Sequence, residues 1–97
     1  MEINKIKTYV SFAKKSRKIL YGVDDTIKSK KCKLICFSDD LADNSAKKLE
    51  NFASSYKIQI IKLEKNFYLE VIDNISIKSF AIVDENLADA IKKEFAK

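Results

Sequence analysis

Apolar and polar positions alternate along this chain with a period that switches repeatedly between that of a helix and that of a strand. From Lys5 to Lys15 the apolar residues Ile6, Tyr9, Val10 and Ala13 follow helical spacing, with Asn4 as a candidate N-cap. Lys18-Ile19-Leu20-Tyr21 reads as a short strand that stops at Gly22. Asp24, Asp25 and Ile27 through Lys31 then read as a second helix, with acids in its first turn and bases in its last, as the helix dipole favours. The unbroken apolar run Leu34-Ile35-Cys36-Phe37 suits a central strand buried on both faces.

Ser38-Asp39-Asp40 reads as a loop before a long helix from about Asp43 to Tyr56, which turns Ala46, Leu49, Phe52, Ala53 and Tyr56 toward the core. Ile58 through Leu63 is β-branched and strand-like. Asn66 is a candidate cap for a short helix carrying Phe67, Leu69 and Ile72, Ile77 to Val83 is another strand, and Asp84 caps a last helix with Leu87, Ala88, Ile91 and Phe95 inward. The order α-β-α-β-α-β-α-β-α predicts an α/β protein, a three-layer α/β/α sandwich around a four-stranded mixed sheet. At 97 residues, without an internal repeat, a low-complexity tract or a Gly/Pro linker, the chain is expected to be one domain with one core.

Composition narrows the functional classes. No apolar run approaches the roughly 20 residues that span a bilayer, and Met1-Glu2-Ile3-Asn4-Lys5 opens onto mixed charge rather than an apolar signal core, so the expected location is the cytoplasm, with no membrane partner. Cys32 and Cys36 are expected to be reduced structural thiols. Four apart on a strand they would share a face, too far along it to form a disulfide easily, and a zinc site would need more ligands. Without a single histidine, Ser/His/Asp and Cys/His arrangements are excluded. The pairs Asp24-Asp25 and Asp39-Asp40 could in principle do acid–base work, although such pairs are usually caps, so no catalytic residue, metal or cofactor is expected. A single glycine leaves no room for a phosphate loop or a dinucleotide fingerprint.

The charge distribution points elsewhere. Residues 1–37 hold ten of the nineteen Lys/Arg against three of the fourteen acidic residues, a net of +7, and the remainder has a net of −2. A lysine-rich composition bias accounts for the number of lysines, Arg17 being the only arginine, but not for this asymmetry, which suits a polyanion-facing surface. Lys14, Lys15, Arg17 and Lys18 precede Gly22, and Lys28, Lys30 and Lys31 follow it. Gly22 is either a plain turn glycine or a point of close ligand approach. If the short strand and the second helix pack side by side, the bases ring the glycine and hold phosphates on either side of a nucleic-acid bend. Asp24 and Asp25 then make sense as base readers, since a carboxylate accepts the paired N–H donors on the free Watson–Crick edge of guanine.

At this junction the sequence resembles the ribosomal L-seven-Ae/L-thirty-e superfamily, which includes small bacterial paralogues of the ribosomal proteins. The resemblance runs through Ala13-Lys14-Lys15-Ser16-Arg17-Lys18, Gly22-Val23-Asp24-Asp25-Thr26-Ile27-Lys28, Leu34 to Asp40 and Ala81-Ile82-Val83-Asp84. It implies the same α/β/α sandwich and binding of kink-turns, sharply bent RNAs with tandem sheared G·A pairs. In the family the glycine is followed two and three residues later by Asn and Glu or Gln, and six later by Lys. Gly22 and Lys28 match, Asp24 takes the Asn place with a charge in place of an amide, and Asp25 keeps the acceptor on a shorter arm. A second family loop carries glycines after a leucine and an apolar platform for an unstacked base; here Glu70 follows Leu69, and Asn74-Ile75-Ser76-Ile77 occupies the platform.

The resemblance thus implies an RNA-binding role, on kink-turn or related RNA that includes ribosomal RNA, with Lys14, Arg17, Lys18, Lys28 and Lys31 on phosphates and Gly22, Asp24 and Asp25 at the bases. The departures from the motif keep open a protein-interaction module on the same fold, partnered by a ribosomal protein or a transcription or translation factor.

Overall fold

The computed structural model describes residues 3–74 and 76–97. The first two residues of the charged N-terminal stretch and Ile75 of the expected base platform lie outside the described residues. Nine elements follow in the expected order: α1 (Ile3–Lys15), β1 (Ile19–Tyr21), α2 (Val23–Lys28), β2 (Leu34–Ser38), α3 (Asp43–Tyr56), β3 (Gln59–Leu63), α4 (Lys65–Ile72), β4 (Ser79–Ile82) and α5 (Glu85–Ala96).

The strands form one mixed sheet in the order β1-β4-β2-β3. β4 runs antiparallel to both neighbours, with Leu20 opposite Ala81 and Ile35 opposite the same Ala81, whereas β2 and β3 are parallel. Every residue of β2 and β4 is buried, as central strands of a covered sheet require. Successive side chains alternate between faces and so feed two cores. Leu34, Cys36, Phe80 and Ile82 pack with α1, α4 and α5 through Ile6, Val10, Tyr68, Ile72 and Ile91. Ile35, Phe37 and Ala81 pack with α3 through Leu49 and Ala53, and with Val23 and Ile27 of α2. Helices therefore cover both faces, three on one and two on the other, as the α/β/α reading expects. None of the described helices is long and apolar enough to cross a membrane.

Several local expectations are corrected. Asn4 lies inside α1, where its carbonyl accepts the Thr8 hydroxyl at 2.9 Å, rather than capping it. α4 is capped by Glu64, whose longer arm reaches the Phe67 N–H at 3.0 Å, and Asn66 falls within the helix. On α4 the most deeply buried residue is Tyr68, one position off the face expected from Phe67 and Leu69. Asp84 does cap α5, its carboxylate accepting the Leu87 N–H at 2.9 Å. Tyr56 is 57% exposed rather than part of the core. α2 ends at Lys28 and does not reach Lys31, because Ser29 is extended and its hydroxyl accepts the Lys31 N–H at 3.1 Å, a local bond that competes with continuation of the helix. The strand expected from Ile77 to Val83 is paired only over Ser79–Ile82.

The two cysteines are free and buried, but they do not share a face. β2 begins at Leu34, so strand alternation never extends back to Cys32, which packs into the α2–α3 core while Cys36 packs into the other. Burial pushes both thiols up, far above the ordinary value for Cys36, and a hydrogen bond with Ser29 partly offsets the effect at Cys32.

Candidate nucleic-acid interface

The register of the sheet decides where each charged junction falls. β1, β2 and β3 all end at the rim where β4 begins: the Gly22 N–H donates to the Ser79 carbonyl at 3.0 Å, the Ser38 N–H to the Lys78 carbonyl at 2.9 Å and the Asp39 N–H to the Leu63 carbonyl at 2.8 Å. The three strands start at the opposite rim, where β4 ends: the Val83 N–H donates to the Lys18 carbonyl at 2.9 Å and the Lys33 N–H to the Ile82 carbonyl at 2.8 Å.

The glycine rim is rich in carboxylates. Gly22 sits there with φ 85° and ψ 165°, in the region that only glycine occupies without strain. Its carbonyl accepts the hydroxyl of the fully buried Thr26 at 2.7 Å, which ties the turn to the first turn of α2. A side chain at Gly22 would meet nothing within 4 Å, so space above the turn is open and the cost of substitution lies in the backbone angle alone. Gly22→Ala is accordingly expected to lower stability by about 1–3 kcal/mol, read as a shift in the urea midpoint without a change in slope. Asp24 and Asp25 are exposed in the first turn of α2, and Asp39 and Asp40 follow β2 on the same rim. Asp40 is held below its ordinary range by hydrogen bonds from Lys78, at 2.7 Å, and from the Ser38 hydroxyl. Among the described residues, no group of three or more His, Cys, Asp or Glu is placed to hold a metal ion.

The opposite rim is basic. Arg17 and Lys18 stand before β1, Lys30, Lys31 and Lys33 before β2, and Lys57 before β3, all of them exposed. None of the six forms an ion pair among the described residues. Asp84, the nearest acid in the chain beyond β4, has its carboxylate engaged as the cap of α5. Two left-handed residues build this rim: Arg17, at φ 58°, turns the chain out of α1 into β1, and Lys57, at φ 56°, turns it out of α3 into β3. Exposed Tyr56 stands beside Lys57, its ring 4.9 Å from that of Phe52.

The expected ring of bases around Gly22 is therefore divided. β1 is three residues long, about 10 Å, and it places Arg17 and Lys18 at the opposite rim from Gly22, Asp24 and Asp25. α2 runs back from the glycine toward the basic rim, carrying exposed Lys28 in its last turn and delivering Lys31 to the loop before β2. Lys14 belongs to neither end. It is half-buried on the α1 side, where its ammonium donates to the Ile72 carbonyl at 3.0 Å and satisfies the end of α4. Sequence reasoning singled out neither Lys33, which stands just before β2, nor Lys57, which lies in the acidic part of the chain and reaches the basic rim only through the left-handed end of α3.

No family model and no curated protein matches the sequence. Among solved structures the chain is similar to a protein with unknown function from Bacillus halodurans C, with a TM-score of 0.81 over 96% of this chain and 98% of that one. At 18% sequence identity this likeness shows the fold alone.

Proposed function

We propose that the protein binds structured RNA and catalyses nothing. The observation that carries this reading is the gathering of six exposed cations, Arg17, Lys18, Lys30, Lys31, Lys33 and Lys57, none in an ion pair among the described residues, from three separate junctions onto one rim of the sheet. Counterion release from a phosphate backbone rewards such a surface, and a small-molecule site would instead call for a concave, largely apolar pocket. The resemblance to the L-seven-Ae/L-thirty-e superfamily sharpens the proposal to kink-turn or related bent RNA. In this arrangement phosphates lie along the basic rim and beside Lys28, and Gly22, Asp24 and Asp25, one short strand away, face unpaired guanine edges.

Lys28→Ala tests the path between the two rims. It is expected to weaken RNA binding and to reduce the slope of log K against log salt by about 1, while Lys48→Ala, on the outer side of α3, leaves both unchanged. Equal binding by wild type and Lys28→Ala at every salt concentration would remove Lys28 from the interface. Asp25→Ala is expected to abolish discrimination between RNAs with and without G·A pairs; uniform tightening on both would mean that the carboxylate only repels.

A second reading, a protein-interaction module partnered by a ribosomal protein or a transcription or translation factor, is favoured by the carboxylates at the glycine rim. Asp24, Asp25 and Asp39 are exposed there, and they suit a basic partner surface. Nuclease treatment separates the readings, because an association through protein survives it and one through RNA does not.

A further inference from the structure

Phe12, on α1, belongs to neither rim of the sheet. It lies in the last turn of α1 with 61% of its surface exposed, although the inward face of that helix is already filled by Ile6, Val10 and Ala13. Asn4, Lys7, Thr8, Ser11, Phe12 and Lys15 line one shallow groove of about 420 Å³ along the outer face. The helix carries Lys5, Lys7, Lys14 and Lys15 and no acidic residue from Ile3 to Lys15.

We infer that this face is a second RNA contact, on which a single-stranded segment adjoining the structured RNA stacks one unpaired base on the Phe12 ring. This inference rests on the RNA-binding reading. Charge complementarity selects the occupant, since Lys7 and Lys15 line the groove and no carboxylate does, which favours a phosphate chain. The isolation of the ring argues for a base rather than an apolar protein helix: its neighbours in the groove are lysines, hydroxyls and an amide, so a protein partner would bury one ring against a polar surround, whereas stacking needs only one exposed face. The spacing also fits. Of the two lysines that line the groove, Lys15 lies about 4.5 Å beyond Phe12 along the helix axis and Lys7 about 7.5 Å before it, which places cations on either side of a stacked nucleotide. The groove ends next to the basic rim in the chain, since Lys15 is followed by Ser16, Arg17 and Lys18 just before β1.

The test compares a kink-turn RNA with the same RNA extended by a short single-stranded uridine tail, on wild type, Phe12→Ala and Phe12→Tyr. The tail is expected to tighten wild-type binding roughly tenfold, the worth of one stacked base. Phe12→Ala should erase that gain without altering affinity for the tailless RNA, and Phe12→Tyr, which keeps the ring, should retain it. A tail that adds nothing on wild type, or an equal gain on Phe12→Ala, overturns the α1 contact while leaving the RNA-binding reading intact. Failure of wild type to bind either RNA overturns both.

Discussion

Replacing Arg17, Lys18 and Lys31 together by alanine is expected to cut RNA affinity on the order of a hundredfold at 0.15 M salt, because each phosphate contact contributes roughly a factor of five through counterion release. The slope of log K against log salt should fall by about 2–3. All three side chains are exposed and make no ion pair among the described residues, so the folded state should tolerate the change. An unaltered thermal melt would confirm that binding, and not folding, was removed. The same measurement on Lys14→Ala should give the reverse pattern. Its ammonium satisfies the end of α4, so the variant loses stability with little change in salt slope. If the triple variant keeps both affinity and slope, the basic rim is not where phosphates bind.

Phe80→Ala is expected to be the most damaging single core substitution, at about 3–5 kcal/mol. Phe80 lies on the central strand β4, is 1% exposed, and faces Tyr68 of α4 with ring centroids 5.9 Å apart. Removing the ring opens a cavity between the sheet and the α1–α4–α5 layer, where close-packed neighbours on a covered sheet cannot collapse into it. For a chain of this size each kcal/mol corresponds to about 4–8 °C, so the melting temperature should drop by roughly 20 °C. A loss under about 1 kcal/mol would mean that Phe80 is not packed as described.

How far the chain could be read without its structure depended on whether one physical signal acted alone. Leu34 to Phe37 is an uninterrupted apolar run, and only a strand covered on both faces uses one so short, so its central place was legible. The span of α3, Asp43–Tyr56, was equally clear from its spacing. Local competition was harder to read. Asn4 and Asn66 are good capping residues by type, but helix entry was decided by neighbours, at α4 by the reach of Glu64. Ser29 stops α2 through one hydroxyl that no periodicity reports.

The candidate site shows a different limit. Lys18 and Gly22 are close in sequence, which made a ring of bases around the glycine attractive. A strand between them converts four residues into two opposite rims, one carboxylate-rich and one basic. Lys57, from the acidic part of the chain, completes the basic rim, and only the left-handed end of α3 and the pairing of β3 beside β2 bring it there. Charge asymmetry along the sequence therefore indicated that a basic surface exists, while sheet register fixed where it lies.

The most direct test of the central claim is the affinity of the purified protein for a short kink-turn RNA, beside a control whose G·A pairs are replaced, at low and at physiological salt. The account predicts selective binding to the kink-turn that persists at physiological salt. Weak binding, equal for both RNAs and lost as salt rises, would contradict it.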